Sequence, residues 1–218
     1  MSSQQQRPSV IAELRDRDLI RLYWPADLRP AFDALFDIDD AMGDVVARAT
    51  QPALAAIKLA WWRERLEELD QGLVPAEPRL QAVARELLPR GISGAELAKI
   101  ERGWAIFLDA EPDLWLAEDR GAELFSLGGR LLGKEHDLLI PAGRLFAGVD
   151  YARRNLRVIE RSKIAMGGVQ FPPALRPLTA FAALAVRDLA HGGPPFEPEA
   201  TPSRALALLR HRWTGRIR

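Results

Sequence analysis

The sequence predicts an all-α, single-domain helical bundle. Three observations carry that expectation: apolar residues recur at helical spacing through most of the chain, Pro and Gly interrupt them roughly every 15–25 residues, and no segment alternates apolar and polar residues with period two. With 218 residues, of which 48% are hydrophobic and 28% charged, the chain is long enough to bury a core without disulfides. It has no Cys with which to make one.

Each element has its own local reason. Residues 1–12, which begin with a Ser/Gln run, read as a flexible leader, and 13–218 as the helical domain. A first helix is expected near 10–22 and a second over 28–48, where Leu35, Ile38, Met42 and Val45 share one side. Pro52 opens a third over 52–70, because a proline at the first helical position forfeits no hydrogen bond. A fourth is expected over 77–88. Ser93-Gly-Ala-Glu96 reads as a capping box that starts a helix over 94–109. Pro112, Pro141 and Pro202 are placed as first residues of helices over 112–132, 141–165 and 202–215, and a further helix is expected over 173–191. The Gly/Pro-rich stretches 166–173 and 191–203 read as loops within one domain. Leu127-Gly-Gly-Arg-Leu-Leu-Gly133 has too few glycines for a nucleotide loop and reads as a place of close helix packing.

Charge and hydropathy narrow the functional classes. Thirty basic and thirty acidic residues cancel, so the whole chain exerts no pull on nucleic acid. The longest stretch free of Asp, Glu, Lys and Arg is the 12 residues 164–175, below the roughly 18 that a spanning helix needs. The first residues show neither a basic nor an apolar signal region, and together with the missing Cys this gives the expectation of a cytoplasmic protein. His136, His191 and His211 show no metal-ligand spacing.

The most informative segment is Phe32 to Val46. At about 100° per residue, Asp33, Asp37, Asp40 and Asp44 fall within about 60° of one another, opposite the apolar side. Like charges at these spacings each destabilise a helix by about 0.2–0.5 kcal/mol, so the stripe asks for a compensating cation: Arg, Lys or Mg²⁺. Neutralising Asp40 and Asp44 is expected to relieve the repulsion and leave the protein no less stable. Asp37, Asp40 and Asp44 are the metal-ligand candidates, because Mg²⁺ takes carboxylate oxygens and shares them with a diphosphate. A solvated acidic face is the plainer alternative. In the next helix Trp61 and Trp62 point about 100° apart, so one enters the core while the other caps a pocket or a partner surface. At the other end of the chain, Arg204, Arg210, Arg212, Arg216 and Arg218 stand among Leu206, Leu208, Leu209, Trp213 and Ile217 with no acid between them. Such a segment docks on the bundle, or meets a partner or the inner membrane peripherally through 204–218.

Asp18-Leu-Ile-Arg-Leu-Tyr-Trp-Pro-Ala-Asp-Leu-Arg-Pro-Ala-Phe32, Ala34-Leu-Phe36 and Lys58-Leu-Ala-Trp-Trp-Arg-Glu64 resemble, in order and spacing, the N-terminal half of squalene/phytoene synthase family proteins. Leu127-Gly-Gly-Arg130 and Pro202 to Arg212 resemble the later half more loosely, so the likeness spans about 14–215. The resemblance implies the isoprenoid synthase type of helical fold with a central cavity. In active members two Asp-x-x-x-Asp motifs on facing helices hold Mg²⁺ and prenyl diphosphates. Here Gly43-Asp44-Val45-Val46-Ala47 occupies the first motif, keeping one acid of three, and Lys134 to Ile140 replaces the second. That pattern resembles the non-catalytic branch related to a mitochondrial respiratory complex I assembly factor. It implies a pseudoenzyme, needing no cofactor, that acts as an assembly factor or binds a lipid or prenyl ligand. The alternative is an active Mg²⁺-dependent prenyltransferase condensing prenyl diphosphates. In it Asp37, Asp40 and Asp44 would hold the metal, and Arg63, Arg130 and Trp62 would contact substrate.

Overall fold

The computed structural model describes residues 14–109, 111–156 and 166–218. The leader 1–12 and the expected helical stretch 157–165 lie outside them. The helices are α1 Asp16–Arg21, α2 Arg29–Ala47, α3 Pro52–Leu69, α4 Pro78–Glu86, α5 Gly94–Ala98, α6 Ile100–Ala105, α7 Leu114–Leu131, α8 Leu139–Arg153, α9 Arg176–Ala190 and α10 Pro202–Thr214. Among the described residues there is no strand. One antiparallel bridge, Gln170 to Arg216, ties the C-terminal segment to the approach to α9.

Local chemistry explains most of the boundaries. Pro52 and Pro202 start α3 and α10, and Ser93 with Glu96 forms the expected capping box. Asp70 adds a second cap there, its carboxylate accepting from the N–H groups of Gly94 (2.7 Å) and Ala95 (2.9 Å). Several boundaries differ from the sequence reading: Leu14 and Arg15 stand outside the first helix, which starts at Asp16, and the helix expected over 141–165 ends at Arg153. The 94–109 helix is broken at Lys99 into α5 and α6 and ends in a 3₁₀ turn, Ile106–Leu108. Pro112 and Pro141 do not open helices: Asp113 caps α7 through the N–H of Trp115 (3.0 Å), and α8 begins two residues before Pro141.

Helix α2 is central, packing against α1, α3, α4, α6 and α7. Helix α7 turns back as α8, α8 packs on α9, and α9 on α10 and α1. The α7–α8 approach depends on a pair of glycines. A Cβ on Gly121 would lie 1.9 Å from the Gly143 carbonyl oxygen, and one on Gly143 2.0 Å from that of Gly121, so neither position admits a side chain. Gly128, in the run read as a packing segment, likewise lies beneath Leu178 of α9. A chain of rings then crosses the core: Trp24 on Phe32 (4.8 Å), Phe32 on Phe36 (4.7 Å), Phe36 on Phe181 (4.8 Å) and Phe181 on Phe146 (5.0 Å).

Candidate functional site

The end of that ring chain is the floor of an open cleft bounded by α1, α2, α8, α9, and α10 with the segment before it. Phe36, Phe146, Phe181 and Leu184 form its apolar base. Its walls are almost entirely Arg and Asp, arranged in two ion-pair networks.

The first network runs from the core outward as an alternating series. Asp39, on the inner side of α2, is buried and accepts from Trp104 Nε1 (2.8 Å) and from Arg120 Nη1 (3.1 and 3.2 Å). Arg120, fully buried on α7, also donates to Asp150 of α8 (2.8 Å). Its guanidinium stacks between the rings of Trp104 and Tyr151, 4.0 and 4.5 Å from their centroids. Asp150 accepts from Arg154 Nε (3.1 Å), and Arg154 Nη2 donates to Asp40 (2.6 Å). Asp40 accepts in addition from Arg17 (2.8 Å) and Arg15 (3.2 Å), and Arg17 reaches on to Asp37 (2.6 Å). The second network centres on Arg204 of α10, which is buried and pairs with Asp16 of α1 (2.6 Å) and with Asp188 of α9. Arg153 donates to Asp188 from the other side (2.8 Å). Arg153 and Arg154, adjacent in sequence, therefore anchor one network each.

These surroundings drive the titration of Asp39 and Asp40 apart. Burial pushes the Asp39 carboxyl up to about 6, with Arg120 pulling the other way. Burial would also raise Asp40, but Arg154, Arg17 and Arg15 outweigh it and hold that carboxyl below the usual carboxylate range. Glu199, the one cleft acid without an arginine hydrogen bond among the described residues, is raised by burial and next by Asp16.

The structure gathers the predicted site residues only in part. The stripe's compensating cation is arginine: Arg21 holds Asp33 (2.6 Å), Arg17 holds Asp37, and Arg17, Arg15 and Arg154 hold Asp40. Asp44 stands apart, half exposed, against Arg48 just past the end of its helix (3.2 Å) in a separate shallow groove with Leu54 and Lys58. Asp40 alone of the three metal candidates lines the cleft. Neutralising it would take from Arg15 its carboxylate partner and from Arg17 and Arg154 one of two, so a loss of stability is expected here where the sequence reading expected none. Trp62 is buried in the core with Trp61 edge-on to it and half exposed (5.1 Å between centroids). Arg63 lies 4.0 Å from Glu101, and Arg130 binds Glu96 and the Gly91 carbonyl. Trp62, Arg63 and Arg130 all lie away from the cleft. The residues that sequence reasoning missed are Asp16, Arg17, Asp39, Arg120, Asp150, Arg153, Arg154 and Asp188.

Mg²⁺ does not fit these residues as they stand. Asp16, Asp39, Asp40, Asp150 and Asp188 each accept from an arginine at 3.1 Å or closer, so a dication would have to displace guanidinium groups that already balance the charge. Among the described residues no group of three or more His, Asp or Glu is disposed to hold a metal. Comparison of the chain with protein-family models, with curated proteins and with solved structures finds no match.

Proposed function

We propose that the chain is a non-catalytic member of the squalene/phytoene synthase family, an isoprenoid-synthase type bundle that works as an assembly factor or binds a lipid or prenyl ligand. Gly43 carries this reading. It stands where the resemblance puts the first acid of the first motif, and a Cβ there would lie 2.8 Å from two atoms of the Trp104 ring and from Arg154 Nη1. Trp104 is fully buried and hydrogen-bonded to Asp39, so it has no room to move. An aspartate at 43 would have to break the packing that seats Trp104, Arg120 and Arg154. The remaining acid of the motif, Asp44, faces away from the cleft, and the replacement of the second motif, Lys134 to Ile140, spans the connection between α7 and α8 and the first two residues of α8.

The ligand half of the reading rests on the cleft. A phenylalanine and leucine floor suits an alkyl or prenyl chain, and a rim of paired arginines and carboxylates suits a polar head. Calorimetric titration with a non-hydrolysable farnesyl diphosphate analogue, with and without Mg²⁺, tests it. Binding that is indifferent to Mg²⁺ is expected of a lipid or prenyl binder, and no binding in either condition moves the search to protein partners. Mg²⁺-dependent binding, or release of diphosphate from farnesyl diphosphate with Mg²⁺, would overturn the non-catalytic reading in favour of the transferase.

A further inference from the structure

We propose that the outer face of α10, with Gly215–Arg218 beyond it, docks on the surface of an anionic lipid bilayer. The inference is independent of the cleft. It starts from a division of labour along one helix. The inner side of α10 is fixed: Arg204, Leu208 and His211 are buried. The segment that follows is pinned by Gly168 N–H donating to the Ile217 carbonyl (2.9 Å), Ile217 N–H to the Val169 carbonyl (2.9 Å) and Phe171 N–H to the Gly215 carbonyl (2.9 Å). A Cβ on Gly215, whose φ is +68°, would lie 2.2 Å from the Phe171 carbonyl oxygen, so this turn is set by a glycine. The outer face is therefore preformed.

That face is both cationic and apolar. Leu206 and Trp213, seven residues apart and so on one side of the helix, are 67% and 72% exposed. They line an open groove with Leu209, Arg210, Arg216 and Arg218. Residues 200–218 contain no acid. Among the described residues Arg210, Arg212, Arg216 and Arg218 have no carboxylate partner, and Arg212 stacks on Tyr23 (4.7 Å). Two acids that contact α10 are already taken: Glu197 pairs with Arg187 (2.8 Å), and Asp188 with Arg204 and Arg153.

Charge complementarity selects the occupant. A two-fold contact with a second copy would set these arginines against themselves. An anionic bilayer neutralises them and accepts the Trp213 ring and Leu206 at headgroup depth, where an indole is favoured. No described helix is long and apolar enough to cross a membrane, so the contact is superficial, reversible and weakened by salt.

Sedimentation of the whole chain with phosphatidylcholine vesicles, with and without phosphatidylglycerol, tests the proposal. Binding is expected only to the phosphatidylglycerol vesicles, and it should weaken at high salt. Arg210→Gln with Arg216→Gln should lower the partition coefficient on the order of 30-fold. Trp213→Ser should also release the protein, and because these residues are exposed, circular dichroism should stay unchanged in every variant. No sedimentation with anionic vesicles, or sedimentation that both variants leave intact, would overturn the proposal. So would a concentration-dependent dimer that Trp213→Ser abolishes, which would assign the face to a second copy.

Discussion

The middle and the C-terminal end of α2 carry the same residue type in different settings. Asp39 and Asp40 face α7, α8 and α1 and are bound into a guanidinium network, while Asp44, one turn on from Asp40, meets only Arg48 at the surface. The difference teaches that burial, and not the number of charges, decides what an acidic helix contributes. An exposed pair of this kind is worth a few tenths of a kcal/mol, whereas breaking a buried one leaves an uncompensated charge in the core.

Removing the cation beside the buried acids should have the largest effect. Arg120→Met leaves Asp39 beneath Trp104 without its hydrogen-bonded cation and Asp150 with one cation fewer, a loss of about 3–5 kcal/mol in urea unfolding. Combining it with Asp39→Asn should recover a substantial part, because the stranded charge goes with its partner. If Arg120→Met proves as stable as the parent, the network carries no weight in the fold.

Asp40→Asn comes next. It weakens bonds from Arg154, Arg17 and Arg15 at once, with an expected loss of about 1–3 kcal/mol. A gain in stability would restore the simple picture of relieved repulsion and break the contrast between the two positions.

The pH dependence separates neighbouring residues. The folded Asp39 carboxyl titrates at about 6, above its usual 3.8, so the folded state holds this proton more tightly. Its contribution therefore falls as pH rises from about 4 to 6 and is flat above. Asp40 has the opposite sign: held below the usual range, its contribution is present above about 4 and lost as pH falls through its folded value. Unfolding free energies of the parent and Asp39→Asn, compared across this window, should converge toward low pH and separate toward pH 6. Parallel curves would mean that Asp39 titrates as an ordinary carboxylate.

Much of this was legible in principle. The fold class, most helix positions and the need for a cation beside the Asp stripe follow from spacing and from like-charge repulsion. Asp39 stands near Leu35 and Met42 in angle, Arg120 recurs with Ala117 and Leu124, and Arg204 with Leu208 and His211. A charge on an apolar face signals a buried partner. What local pattern does not encode is which partner: Asp39 lies 81 residues from Arg120, and Asp16 lies 188 from Arg204. The break at Lys99 escaped for a related reason, since nothing in the local spacing interrupts the helix there and tertiary packing sets where it turns. The acid stripe itself misled about Asp44, because helical periodicity places residues on a face without saying where along its length the neighbouring helices cover it.

The smallest effect should come from the exposed end, and it sharpens the comparison most. Asp44→Asn removes one i,i+4 pair with Arg48, whose partners are 51% and 79% exposed, so the stability change should stay within about 0.5 kcal/mol. It should also leave any ligand affinity of the cleft untouched, since Asp44 lies in a different groove. Asp44 is nonetheless the one acid that the motif resemblance retains. If Asp44→Asn abolished a Mg²⁺-dependent affinity for a prenyl diphosphate, the working site would lie at the α2–α3 end instead of at the arginine-lined cleft. The buried network would then be framework alone, holding Trp104 and α8 against α2 while chemistry proceeds one turn away.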